Sequence, residues 1–200
     1  MTDLRNTTVA FPSQDAPFAI RAERASDVVA REALLDACFG ENRHMRTCQR
    51  LRDGRAPAEG LAFSAVRNGR LVGTVRLWHV SAGGIPALIL GPLAVEQSCR
   101  KLGVGAALMA RALAAAIERG HRAVILLGDA PYYARFGFST AKTADLILPG
   151  SFERERLLGL ELQEGSLDGA WGMIVPTGVT APEARRVRGR KSTRLVPHAA

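Results

Sequence analysis

One stretch constrains the fold of this chain more than any other. Residues 87–95 (ALILGPLAV) are apolar and strand-like, and a short polar loop leads from them into the turn Gly103-Val104-Gly105. The Ala/Leu-rich segment 103–119 that follows has helical character and stops at Gly120, and 123–127 (AVILL) is fully apolar. A glycine just past a helical run is a common helix stop. A short strand with no polar face belongs in the centre of a sheet. Strand, helix and buried strand in this order predict a parallel unit. Upstream, 61–67 and 70–80 flank Asn68-Gly69, a strong signal for an antiparallel hairpin. The sheet is therefore predicted to be mixed, with helices on both faces, in an α/β (α+β) fold.

The remaining elements fit that frame. Residues 18–22 alternate as a first short strand. Ser26 and Asp27 offer an N-cap to a helix whose apolar positions, Val28, Val29, Ala33, Leu34 and Ala37, run to Gly40. Residues 41–55 read as a second, basic helical piece. A short helix is expected over 131–136, and strands over 145–148, 157–162 and 171–175. No internal repeat is visible. Two hundred residues suit one domain, expected over 17–179, between a loose leader (1–16) and a basic tail (180–200).

Charge sorts the partners. The net charge is +8, but +5 of it lies in 180–200, leaving +3 for the body. The basic pI near 10.4 thus reports a tail more than a fold, and is weak evidence for a nucleic-acid-binding domain. The three cysteines, Cys38, Cys48 and Cys99, form neither a CxxC pair nor a disulfide framework, so a reducing, cytoplasmic setting is expected. The N-terminal residues lack the apolar core of a signal peptide. The longest uncharged stretch, 80–95, is broken by Gly83, Gly84, Pro86, Gly91 and Pro92, too interrupted for a membrane span of ~20 apolar residues.

The chemistry concentrates at 93–105 (LAVEQSCRKLGVG). A glycine-rich turn opening a helix leaves several backbone N–H groups unpaired at the positive end of the helix dipole. Such a turn suits an anion, and a diphosphate in particular. Gly103 and Gly105 let a phosphate approach the backbone, with Arg100 and Lys101 adding charge beside it. The alternative is an ordinary strand-to-helix turn whose glycines only relieve crowding. No G-K-[ST] follows, so this is not a P-loop. The turn also follows an antiparallel hairpin rather than the first strand of a dinucleotide fold.

The segment 93–105 resembles the acetyl-CoA-binding signature of the GNAT N-acetyltransferases, in which a strand leads through R/Q-x-x-G-x-G/A into a helix. Residues 128–138 (GDAPYYARFGF) are similar to that family's second hallmark, an aromatic-Tyr run closed by Gly-Phe. The order of elements from about Phe18 to Val175 matches as well. The resemblance implies a GNAT-type acyl-CoA N-acyltransferase fold in which the strand before the turn splays from its neighbour. Acetyl-CoA, as co-substrate, would lie in the gap. Its pantetheine amides would pair with Leu93, Ala94 and Val95, and its diphosphate would sit on amides from Leu102, Gly103, Val104, Gly105 and Ala106. No metal is implied. Transfer would be direct: an amine attacks the thioester, a tetrahedral oxyanion forms, and CoA leaves as a thiolate. Tyr133 occupies the family's tyrosine position and is the candidate acid toward the departing sulfur. Its other reading is a packing aromatic. Tyr132 and Phe136 are expected in the core or the cofactor wall.

Other residues stay open. Asp129 follows a central strand, where function sits in open α/β sheets, yet it is also an ordinary turn residue. Glu96, His44 and His79 are further candidate bases, each more readily read as a solvated, surface or core residue. Cys99 lies near the turn but has no histidine partner at a readable spacing. Arg43, His44, Arg46, Arg50, Arg52 and Arg55 form a cluster that borders the acceptor site in the GNAT fold. That cluster is either a dock for an anionic substrate group or a solvated basic face. The leading expectation is an N-acetyltransferase acting on a small-molecule or peptide amine, with no membrane partner. A homodimer is compatible with the chain. Two alternatives stand beside it: a non-catalytic acyl-CoA-binding sensor, and a nucleic-acid-associated protein working through residues 180–200.

Overall fold

The structure is a computed structural model that describes residues 17–181. The expected leader, and all of the expected tail beyond Thr180 and Ala181, lie outside the described residues. The chain forms β1 (Ala19–Ala22), α1 (Val28–Phe39), β2 (Ala62–Arg67), β3 (Arg70–Ala82), β4 (Ile85–Leu90) and β5 (Ala94–Val95). It continues through α2 (Val104–Glu118), β6 (Ala123–Leu127), α3 (Ala130–Ala134), β7 (Leu146–Ile147), β8 (Leu157–Glu161) and β9 (Gly172–Pro176). The main sheet runs β1-β2-β3-β4-β6-β8. All neighbours on that path are antiparallel except β4 and β6, which pair in parallel through Leu88↔Val124 and Ile89↔Ile125. The expected mixed sheet is thus present, with β9 added to the far end of β3 and β7 added to β9. Asn68 and Gly69 both have positive φ, 50° and 75°, as a tight hairpin between twisted strands requires.

Alternation along the central strands splits the core in two. Leu88, Leu90, Val124 and Leu126 face α2, which buries Val104, Leu108, Met109, Ala112, Ala115 and Ala116 against them. Gly73 permits the close approach, since a Cβ there would lie 2.9 Å from Leu108 Cδ1 and 3.0 Å from Val104 Cγ1. On the other face Ile89 and Ile125 pack with Leu51, Trp78, Leu146, Leu157 and Ile174. There α1 lays Leu34 and Leu35 on Ala94, with Leu71 packed alongside.

Two local expectations are corrected. Asp27 does not cap α1 through its side chain. Its carboxylate turns back and accepts from the Arg24 amide (2.9 Å), the Ser64 hydroxyl (2.9 Å) and both Arg21 terminal nitrogens (2.6 and 2.8 Å). The basic piece after α1 is two separate 3-10 turns, Glu41–Met45 and Thr47–Leu51, rather than one α-helix.

The apolar run 87–95 is not one strand either. Leu77 pairs with Leu90, and the next pair on that edge of β3 is Thr74 with Ala94. Gly91, Pro92 and Leu93 therefore stand opposite only Val75 and Arg76, which is a bulge. The Gly91 amide bonds Arg76 O (2.8 Å) and its carbonyl takes the Trp78 indole N–H (2.7 Å). Beyond the bulge β5 stays on β3 but no longer runs beside β6, so a gap opens between them.

Candidate functional site

Strand geometry sets what β5 offers to that gap. The Glu96 amide donates to Val72 O (2.8 Å), so Val72–Glu96 and Thr74–Ala94 are the hydrogen-bonded pairs of the ladder. Antiparallel pairs alternate. Ala94 is therefore engaged with β3, whereas Leu93 and Val95 turn their amides and carbonyls outward. The Val95 carbonyl meets only the Cys38 thiol, at 3.5 Å, a weak donor. This edge lines a cavity of about 550 Å³ with Gly103, Gly105, Tyr132 and Arg135.

The cavity ends on the turn before α2. Lys101 and Gly103 both adopt positive φ, 72° and 81°, which turns the chain sharply into the helix. The amides of Cys99, Arg100 and Leu102 are taken by the carbonyls of Glu96, Gln97 and Cys99. Among the described residues, those of Lys101, Gly103, Val104, Gly105 and Ala106 find no protein acceptor. Five donors at the N-terminus of a fifteen-residue helix make a concentrated anion site. Leu102 departs from the expected set: its amide is spent on Cys99 O (3.3 Å), and its side chain is exposed. Arg100 and Lys101 line the cavity, and Arg135, to which the sequence assigned no role, joins them. Arg135 is held by a bond to Tyr132 O (3.0 Å) and stacks over the Tyr132 ring at 4.4 Å.

A second cavity of about 740 Å³ adjoins the first, and Phe39, Leu93 and Tyr132 line both. Tyr133 lines only the second. Its ring packs edge-on to Tyr132 (centroids 4.9 Å apart) and Phe138 (6.0 Å). It lies so close to Gly128 that a Cβ there would fall 2.2 Å from its Cε2. Burial pushes the Tyr133 phenol up to about 12, and the neighbouring Tyr132 and Asp129 push in the same direction. The Tyr132 hydroxyl points the other way, 2.8 Å from where a Gly105 Cβ would sit. Tyr132 thus lines both cavities and Tyr133 only the second, a difference that the spacing of an aromatic pair does not reveal.

Of the candidate bases, only Asp129 reaches the second cavity. It makes no side-chain cap bond to α3. Glu96 lies 3.8 Å from Arg70, His79 stacks on His121, and His44 sits exposed on the first 3-10 turn. Cys99 is buried beneath the turn, within reach of Arg67 and Ser98 but of no histidine. The basic cluster divides too. Arg43, Arg46 and Arg52 line the second cavity, while Arg50 bonds Pro149 O and Arg55 bonds Gly178 O. Arg156 lines the same cavity. Among the described residues no cluster of three His, Cys, Asp or Glu could hold a metal, and no helix is long and apolar enough to cross a membrane.

Known proteins share this fold. YhbS of Escherichia coli strain K12, described as an uncharacterized N-acetyltransferase, is 29% identical over 157 residues, covering 78% of this chain and 93% of its own. The crystal structure of E. coli YhbS in complex with CoA superposes with a TM-score of 0.69 at 27% identity, over 84% of this chain and 94% of that one. A GNAT acetyltransferase from Brucella melitensis, crystallised with acetyl-CoA, shares the fold at 23% identity, with a TM-score of 0.58 over 85% and 99% of the two chains. The model of the acetyltransferase (GNAT) family matches residues 29–138, more than half of the chain, and the protein with its splayed strand and amide-lined turn belongs to that family.

Proposed function

We propose that this protein is an N-acetyltransferase that moves an acetyl group from acetyl-CoA directly to the amine of an acceptor seated in the second cavity. One observation carries the reading: the free edge of β5 runs straight onto five unpaired amides at the start of α2. A linear molecule with amides along its arm and a diphosphate at its end matches that series of donors and acceptors. The CoA bound by YhbS is such a molecule.

When bound, acetyl-CoA supplies an activated acetyl thioester and a thiolate leaving group. Leu93 and Val95 pair their outward backbone groups with the arm as an added strand would. The amides of Lys101, Gly103, Val104, Gly105 and Ala106 hold the diphosphate, with Arg100, Lys101 and Arg135 neutralising it. Tyr133 keeps its proton across the physiological range because burial disfavours the phenolate. It remains a donor toward the sulfur as negative charge builds there. Asp129, exposed at the cavity mouth, accepts the proton that the attacking amine sheds and passes it to water.

The test is calorimetric titration with acetyl-CoA, followed by detection of free thiol over a panel of amines. Binding together with amine-dependent thiol release is the expected result. Binding with no release from any amine would favour the acyl-CoA sensor, and absence of binding would remove the proposal.

A further inference from the structure

The second cavity is lined by Arg43, Arg46, Arg52 and Arg156 against only two acids, Asp129 and Glu153. These cations are not equivalent. Arg43 is spent, because its guanidinium bonds Glu32 (2.5 Å) and Asp36 (2.6 Å). Arg156 has a loose partner in Glu153 at 3.7 Å. Arg46 lies over the Phe39 ring at 5.1 Å and reaches only the Phe39 carbonyl, at 3.4 Å. Arg52 stands out. Its Nε bonds Cys48 O (3.1 Å), and no carboxylate among the described residues forms an ion pair with its guanidinium. The neighbouring Asp53 carboxylate is taken up by the Gln49 amide (2.9 Å). Burial, with Arg43 and Arg76 close by, lowers Arg52 from the ordinary guanidinium value.

Position adds to this. Arg52 Nη1 lies 3.5 Å from where a Gly91 Cβ would be, at the bulge between β4 and β5, and both residues line the second cavity. An unpaired, partly desolvated guanidinium is costly in an empty fold. It becomes favourable when an anion with two oxygens in a plane completes it.

We infer that the acceptor is an anionic amine, a small molecule whose carboxylate or phosphate docks on Arg52, flanked by Arg46 and Arg156. The inference rests on reading the second cavity as the acceptor site. Arg52 and Arg46 come from the 3-10 segment after α1, Arg156 from the 3-10 turn just before β8, and Tyr133 and Asp129 from α3 and the residue before it. The acid end of the acceptor is thereby held on one wall while its nitrogen faces the other. Amines with no acid group leave Arg52 uncompensated, which makes the cavity selective as well as attractive.

Equilibrium binding separates this inference from turnover. CoA-loaded protein is titrated with N-acetylglycine, N-acetyl-β-alanine, N-acetyl-γ-aminobutyrate, N-acetyl-O-phosphoethanolamine and the neutral N-propylacetamide. At least one anionic probe is expected to bind ten-fold or more tighter than the neutral one, as hydrogen bonds to charged groups allow. The carboxylate and phosphate arms distinguish the two anions. Arg52→Gln is expected to erase the preference, and Arg52→Lys to restore part of it through charge without the fork. Binding of the neutral probe as tight as that of every anionic one, or a preference that survives in Arg52→Gln, overturns the inference. No acetyl transfer is needed for these readings. Anion preference in a protein that acetylates nothing sinks the transferase proposal alone, whereas rapid acetylation of neutral amines with no anion preference sinks only this one.

Discussion

Tyr133 and Tyr132 are neighbours in sequence with different surroundings, and the difference is measurable. Tyr133→Phe keeps the ring that packs on Tyr132 and Phe138 and removes only the hydroxyl. Turnover should fall by ~10²–10⁴-fold, the range for loss of a positioned acid, with the effect in kcat rather than in the acetyl-CoA KM. Activity equal to the parent would take Tyr133 out of the mechanism. Tyr132→Phe serves as the comparison. Because its hydroxyl overlies Gly105, its effect belongs in the acetyl-CoA KM. Titration gives a second, independent check. The chain has two tyrosines, so tyrosinate absorbance reads this pair alone. Burial raises both, so the folded protein binds the phenolic protons more tightly than the unfolded chain does. Their contribution to stability is complete below the unfolded value near ~10 and is lost as pH rises toward about 12. Tyrosinate in the folded protein should therefore appear well above its midpoint in denaturant, and coincident midpoints would show that the ring is wet. The aromatic-Tyr run was legible from sequence. Which hydroxyl enters which cavity was not, because side-chain direction in a one-turn helix depends on what packs beneath it, here Gly128 and Gly105.

Among the elements, the turn into α2 makes the sharpest demand on glycine, and its two glycines serve different ends. Gly103 has φ of 81°, a conformation that L residues adopt only at a cost. Gly105 has ordinary helical backbone, and a Cβ there would meet the Tyr132 hydroxyl at 2.8 Å; in the proposed complex the diphosphate would share that surface. Gly105→Val should therefore leave the melting temperature nearly unchanged and weaken acetyl-CoA binding by more than about ten-fold, the scale of a lost charged hydrogen bond. Gly103→Val should lower the melting temperature as well, by the cost of about 1 kcal/mol for a forced left-handed residue. Equal acetyl-CoA affinity of Gly105→Val and the parent, measured by calorimetry, would remove the diphosphate from this turn. The strand–turn–helix succession was readable because hydrophobic period and glycine punctuation are local. The bulge at Gly91-Pro92-Leu93 was not, since it exists only relative to Val75 and Arg76 on a strand that sequence alone cannot register. The same limit applied to Asp27, a plausible cap by position that is claimed instead by Arg21 and Ser64 from other strands.

At the scale of the whole molecule, the order of elements gave the architecture, since one hairpin and one crossover permit few sheets. The C-terminal closure escaped it. β9 joins β3 through Val80↔Pro176, Ser81↔Val175 and Ala82↔Ile174, a pairing across about half the chain that no local pattern marks. From β9 the chain goes on to brace the segment carrying Arg52. The Val179 carbonyl accepts from the Ala56 amide and the Ala181 amide donates to Gly54 O, both at 2.9 Å. Arg55 and Thr180 form a β-bridge, and the Arg55 guanidinium bonds Gly178 O. These bonds run on through Ala181, the last described residue, past the expected boundary at Val179. Residues 182–200 carry six basic residues and one acid with few large apolar side chains, and they lie outside the described residues. Deleting 182–200 should leave acetyl-CoA binding and the melting temperature within error of the parent. Deleting 178–200 removes the bonds to Gly54, Arg55 and Ala56, and at about 1 kcal/mol for each the midpoint should drop by roughly 5–10 °C for a domain of this size. Acetyl-CoA affinity should be retained by the shorter form wherever it is still folded, because neither β5 nor the amide turn touches this segment. Selectivity for the acceptor should suffer instead, since Gly54–Ala56 anchor the end of the stretch that positions Arg52. A large fall in melting temperature on losing 182–200 alone would show that those residues pack on the domain. An unchanged midpoint on losing 178–200 would show that the strap after β9 contributes nothing to holding the basic wall of the cavity.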